Sequence, residues 1–117
     1  MEWCSTDERD RDLLEAVAEC ARLALGYARD QGPDWVRDQK TIDAIAKRVE
    51  EIGELAKRVA PEILAAIPGV DWRGAKAFRE ILSHAYGHLD LDVLADVIEA
   101  RLPGLLAGVE KALSAER

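Results

Sequence analysis

The sequence predicts an all-α fold, an antiparallel bundle of four main helices plus one short helix, in one domain over residues 1–117. Three observations predict it. Apolar residues recur at three- and four-residue intervals along most of the chain, the period of a helix buried on one face. Gly and Pro punctuate at few points, Gln31-Gly32-Pro33-Asp34, Pro61, Pro68-Gly69 and Gly87, leaving long segments between them. Aliphatic residues dominate, aromatics are scarce, and no strand, repeat or low-complexity linker is read.

The first helix opens at Ser5-Thr6-Asp7-Glu8, a capping box with Ser5 as cap and Glu8 three residues on. Its stripe is Leu13, Leu14, Val17, Ala21, Ala24, Leu25 and Ala28. Trp35 and Val36 plug the core from the connecting loop. Ile42, Ile45, Val49, Ile52, Ala56 and Val59 then make a second helix whose narrow seam suits packing between two neighbours. Pro61 starts a short helix with Ile63, Leu64 and Ile67, closed by Pro68-Gly69.

Trp72 anchors the start of the next helix, where Ala75, Phe78, Ile81, Leu82 and Ala85 face inward and Gly87 ends the run. Asp90 or Asp92 caps the last helix, with Leu94, Ile98, Leu102, Leu105, Val109 and Leu113 as its stripe. A kink is expected at Pro103, because proline removes a backbone donor and crowds the preceding turn.

Composition narrows the function. A net charge of −7 excludes a protein that simply coats nucleic acid, so any RNA contact must be local. No stretch approaches the roughly 18 apolar residues of a membrane span, and residues 1–8 lack a basic region followed by an apolar run. The expectation is a soluble, cytoplasmic protein without a membrane partner. Cys4 and Cys20 are too far apart for a CxxC site, and Cys20 reads as a small core residue.

The chemistry concentrates in Phe78-Arg79-Glu80-Ile81-Leu82-Ser83-His84-Ala85-Tyr86. Arg79 is a fixed cation able to grip phosphate, and His84 can exchange a proton near neutrality. The plain alternative is a surface in which His84 is merely well placed near a helix C-terminus. Arg73, Lys76 and Arg79 recur every three residues as one basic edge, either an RNA-binding strip or a solvated face.

The R-x4-H-x-Y spacing resembles the signature of HepT-like toxins in the HEPN superfamily, and flanking segments share the likeness. Val49-Glu50-Glu51-Ile52-Gly53-Glu54-Leu55-Ala56 is similar to the family's E-x-I-G-E-A helix, followed by Pro61 and by Val70-Asp71-Trp72. Leu89-Asp90-Leu91-Asp92-Val93 and Arg101-Leu102-Pro103-Gly104-Leu105 match the run into the final helix. The resemblance covers roughly residues 9 to 110, in order.

It implies an HEPN-like fold and the toxin role of a type VII toxin–antitoxin pair. The activity implied is metal-independent RNA cleavage by a homodimer that pools two motifs in a cleft. No cofactor is implied. Arg79 would hold phosphate and His84 would act as general base or acid. The implied partner is a cognate minimal nucleotidyltransferase antitoxin, which uses ATP to place AMP on the motif tyrosine, here Tyr86. An alternative is a noncatalytic HEPN subunit that docks the nucleotidyltransferase.

On one ideal helix Arg79 and Tyr86 share a stripe to within about 20°, while His84 lies about 140° from Arg79. One straight helix does not converge all three, so either the helix distorts near Gly87 or two copies meet. Where the family usually has Asn after the motif arginine, this chain has Glu80. Four residues before His84 on a helix, that carboxylate would favour the protonated imidazole and could pair with Arg79, or it could be an exposed salt bridge of no consequence.

His84 and His88, with Asp90 and Asp92 nearby, are a weak metal pattern that Gly87 interrupts, so no metal site is assigned. Glu50, Glu51 and Glu54, with Lys47, Arg48, Lys57 and Arg58, read as the solvated face of the second helix. Gly53 reads as a point of close helix approach.

Overall fold

The computed structural model describes residues 8–83 and 89–115. Cys4 and Ser5 at the start, and His84, Ala85, Tyr86, Gly87 and His88 within the motif segment, lie outside the described residues. Helix α1 runs Glu8–Gln31 and α2 runs Gln39–Arg58, joined by a 3₁₀ turn at Pro33–Arg37. Gly32, at φ 82°, supplies the left-handed residue that lets the chain leave α1. Asp38 then caps α2 by accepting from the Thr41 amide at 3.0 Å.

The expected stripes are the buried faces. Leu14, Val17, Ala21 and Ala24 of α1, and Ile45, Val49, Ile52 and Ala56 of α2, are fully buried, and Trp35 closes the open end of the pair. Leu25 and Val36 are only partly buried against this core. Among the described residues the buried side chains form one cluster and none of them is polar or charged.

Helix α3, Pro61–Ala65, is the short helix, and the Ala60 amide ahead of it donates to Asp10 of α1 at 3.0 Å. The last segment runs Leu91–Asp96 (α6), a π-helical turn at Val97–Arg101, and Leu102–Ser114 (α7). Asp90, not Asp92, supplies the cap, accepting from the Val93 amide at 3.1 Å. The kink was expected at Pro103, and the structure has a π-helical turn that ends two residues before it. The Leu102 amide reaches the Val97 carbonyl five residues back, so the extra residue is absorbed just before the proline ring.

One expectation is corrected. The helix expected from Trp72 to Gly87 is instead two short helices, α4 (Trp72–Lys76) and α5 (Phe78–Leu82), with a break at Ala77. The second closes at Ser83, whose backbone is extended at ψ 137°. The cause is local: the Ser83 hydroxyl donates to the Arg79 carbonyl at 3.0 Å, the acceptor its own amide would use in an α-helix, while that amide turns to Glu80 at 3.3 Å. No strand occurs among the described residues, only one antiparallel bridge between Ser83 and Leu89.

Candidate functional site

The sequence explains why α5 lies where it does. A Cβ added at Gly53 of α2 would stand 2.8 Å from the Ala75 carbonyl oxygen and 3.4 Å from Phe78 Cβ. Only a glycine lets the α4–α5 junction descend onto α2 this closely. Trp72, Ala75, Phe78 and Leu82 fill the contact and are all buried. α2 is thus packed between α1 on one side and α4–α5 on the other, as its narrow seam predicts.

Burying Phe78 and Leu82 turns Arg79 and Glu80 outward, and both are exposed. Arg79 stands at the edge of a groove of about 250 Å³, whose other lining residues all come from α2: Lys47, Glu50, Glu51, Glu54, Leu55 and Arg58. Three cations and three carboxylates therefore share this groove. Arg73 and Lys76 do not line it. Because the helix breaks at Ala77, they belong to α4, and the cations grouped with Arg79 are Lys47 and Arg58, which the sequence alone assigns to the solvated face of α2. No local pattern links them to Arg79, since the contact depends on Gly53.

Glu80 points to α2. Its carboxylate lies 3.4 Å from Lys57 Nζ, and the same ammonium lies 2.9 Å from Glu54. The Glu80 backbone amide, then the hydrogen bond and charge of Lys57, then the charge of Arg79, hold its pKa below the ordinary carboxylate value. Lys57 is shifted up, first by its bond to Glu54 and then by Glu80. α5, which carries Glu80, closes at Ser83, and the expected Glu80–His84 neighbourhood falls on a residue outside those described.

Behind the groove, Glu51 links to the core. Arg48 pairs with it at 3.2 Å, and Cys20 Sγ lies 4.0 Å from its other oxygen. Burial first, and Glu51 second, push the Cys20 thiol above its ordinary pKa, so it is a protonated packing residue.

His84 and Tyr86 lie outside the described residues, but both flanks of their segment are placed. Ser83 and Leu89 face each other across the bridge, and the Asp90 amide donates to the Leu82 carbonyl at 2.7 Å. Ser83 and Leu89, the described residues on either side of that segment, thus meet at the end of α5, with Ser83 one turn beyond Arg79. Among the described residues no group of three or more His, Cys, Asp or Glu side chains could hold a metal ion, and no helix is long and apolar enough to cross a membrane.

Comparison with known proteins places the chain in a family. The chain is 31% identical over 102 residues to "Probable ribonuclease HepT" of Thermococcus cleftensis, covering 86% of this chain and 93% of that protein. It is 25% identical over 102 residues to "Putative RNase MJ0127" of Methanocaldococcus jannaschii, covering 86% and 84%. A third relative from the same organism, "Gamma-glutamylcyclotransferase and putative RNase MJ0434", is 28% identical over 93 residues, covering 79% of this chain and 42% of that longer protein. No solved structure matches the chain. The family described as ribonuclease HepT-like matches residues 13–112, from the first buried turn of α1 to the last turns of α7, and the chain belongs to it.

Proposed function

We propose that the protein is a metal-independent endoribonuclease, the toxin of a type VII toxin–antitoxin pair, acting as a homodimer. The observation that carries the reading is Arg79, exposed at the edge of a charged groove and one turn before the segment that holds His84. Family membership supports RNA as the substrate.

The chemistry follows from the residue types. His84 removes the proton from a ribose 2′-hydroxyl, and the freed oxygen attacks the adjacent phosphorus. The bond to the 5′-oxygen breaks, a proton from an imidazolium goes to that leaving oxygen, and a 2′,3′-cyclic phosphate remains. Arg79 holds the nonbridging oxygens as charge builds on them. Pooling the motifs of two copies would supply one imidazole as base and one as acid. Lys47 and Arg58, which share the groove with Arg79, would meet flanking phosphates, while Arg73 and Lys76 on α4 would meet RNA only beyond the groove.

A nucleotidyltransferase antitoxin would silence this site by transferring AMP from ATP to Tyr86. The added phosphate would occupy Arg79 and exclude RNA. Growth arrest on expression, relieved by His84→Ala, together with metal-free cleavage of an RNA oligonucleotide, tests the nuclease. Intact-mass measurement after co-expression with the transferase, expecting one adenylate on Tyr86, tests the regulation. Absence of arrest, with a transferase that works only in complex with this chain, would establish the noncatalytic docking subunit instead.

A further inference from the structure

Glu80 poses a problem that Lys57 solves. The carboxylate directly follows Arg79 on the exposed side of α5, and an Arg–carboxylate pair would occupy the donors that phosphate needs. In the structure it does not form. Glu80 reaches across to α2 and pairs with Lys57 at 3.4 Å, and Glu54 anchors that ammonium from its other side at 2.9 Å. Among the described residues Arg79 makes no ion pair.

We propose that Lys57 is a positioning residue for RNA: by holding the Glu80 carboxylate against α2, it leaves the Arg79 guanidinium open to a phosphodiester. The proposal rests on Arg79 being the phosphate ligand. It assigns to α2 a role that neither motif residue carries. It also explains how a chain with Glu beside the motif arginine keeps that arginine available. Glu54 is the outer support, since without it Lys57 would swing freely on its four-carbon stem.

The test measures binding of a 2′-O-methylated, uncleavable RNA oligonucleotide at fixed ionic strength, alongside cleavage of its unmodified counterpart. Wild type and Arg79→Ala are compared first. Equal affinity for these two would remove the phosphate-ligand reading and this proposal with it. Given an Arg79-dependent affinity, Lys57→Gln should weaken binding roughly two- to fivefold, the scale on which exposed charge pairs act. In the Glu80→Gln background the same Lys57→Gln change should have no effect, because no carboxylate then needs holding. Lys57→Arg should bind as wild type does.

A loss that persists in the Glu80→Gln background would show Lys57 touching RNA itself and would overturn the proposal. So would a Lys57→Gln variant that binds as tightly as wild type. Binding without cleavage in wild type would sink the nuclease reading alone, while the Lys57 comparison would still be decided by affinity.

Discussion

The α1–α2 pair and the α4–α5 pair are built from the same kinds of residue and end in opposite designs. α1 and α2 are 24 and 20 residues long and seamed by fully buried aliphatics, and the Asp38 side chain caps the start of α2. α4 and α5 have five residues each and are separated by a break. Long helices bury enough surface to be held by packing, whereas short ones are held where a neighbour receives them. That difference assigns the roles: α2 is the platform, and α5 is a small mount that presents Arg79 above it.

Breaking the platform should have the largest effect on stability. Ile52 is fully buried in α2 beside the Gly53 contact. Ile52→Ala should cost about 2–5 kcal/mol in a denaturant titration, from lost burial and the cavity left behind. Breaking the mount's function should leave the fold alone. Arg79→Ala should lower cleavage roughly 10²–10³-fold, the range for losing a donor to developing oxyanion charge, with the unfolding midpoint unmoved. A stability loss comparable to that of Ile52→Ala would place Arg79 in the architecture rather than in the chemistry.

Gly53→Ala sharpens the comparison because it acts at the joint. The new methyl would meet the Ala75 carbonyl, a backbone atom that can yield only if the α4–α5 junction lifts. The expected cost is about 1–3 kcal/mol, with cleavage reduced as Arg79 is carried away from the groove. Unchanged stability and cleavage would mean the two regions are not coupled through this contact. Ser83→Ala should do less, under about 1 kcal/mol, since it removes one exposed hydroxyl bond to the Arg79 carbonyl. Its readout is slower hydrogen exchange at the end of α5 as the helix gains a turn.

These two regions also differ in how far the sequence discloses them. The stripes of α1 and α2 are legible because burial repeats with the helical period, and each buried residue repeats the same message. Pro103 marks an irregularity in the last helix because a proline's missing donor is a property of the residue itself, but the π turn ahead of it is not written in that residue. The end of α5 was not legible. It depends on whether the Ser83 hydroxyl or the Ser83 amide takes the Arg79 carbonyl, a choice between bonds of similar strength that leaves no mark in the apolar pattern. The groove was legible only at Arg79, through its motif spacing. Lys47 and Arg58 join it, and the Lys57–Glu80 pair forms outside it, through a contact between segments more than twenty residues apart.

The smallest effect separates the two regions by pH. Asp38 caps the platform, and the Thr41 hydroxyl, then its amide, hold the Asp38 pKa below the ordinary carboxylate value. Glu80 on the mount is shifted the same way by its own amide and by Lys57. A carboxylate whose folded pKa is depressed contributes stability that is complete above its unfolded pKa and is lost as pH falls through the folded value, so both contributions should fade from about pH 4 downward. Asp38→Asn keeps a capping oxygen but cannot titrate, so global stability should fall less steeply with acid than in wild type. Glu80→Gln should leave that global slope unchanged and flatten only the acid dependence of amide exchange within α5. If both substitutions flatten global unfolding equally, α5 melts together with α2, and the platform and its mount are one cooperative unit.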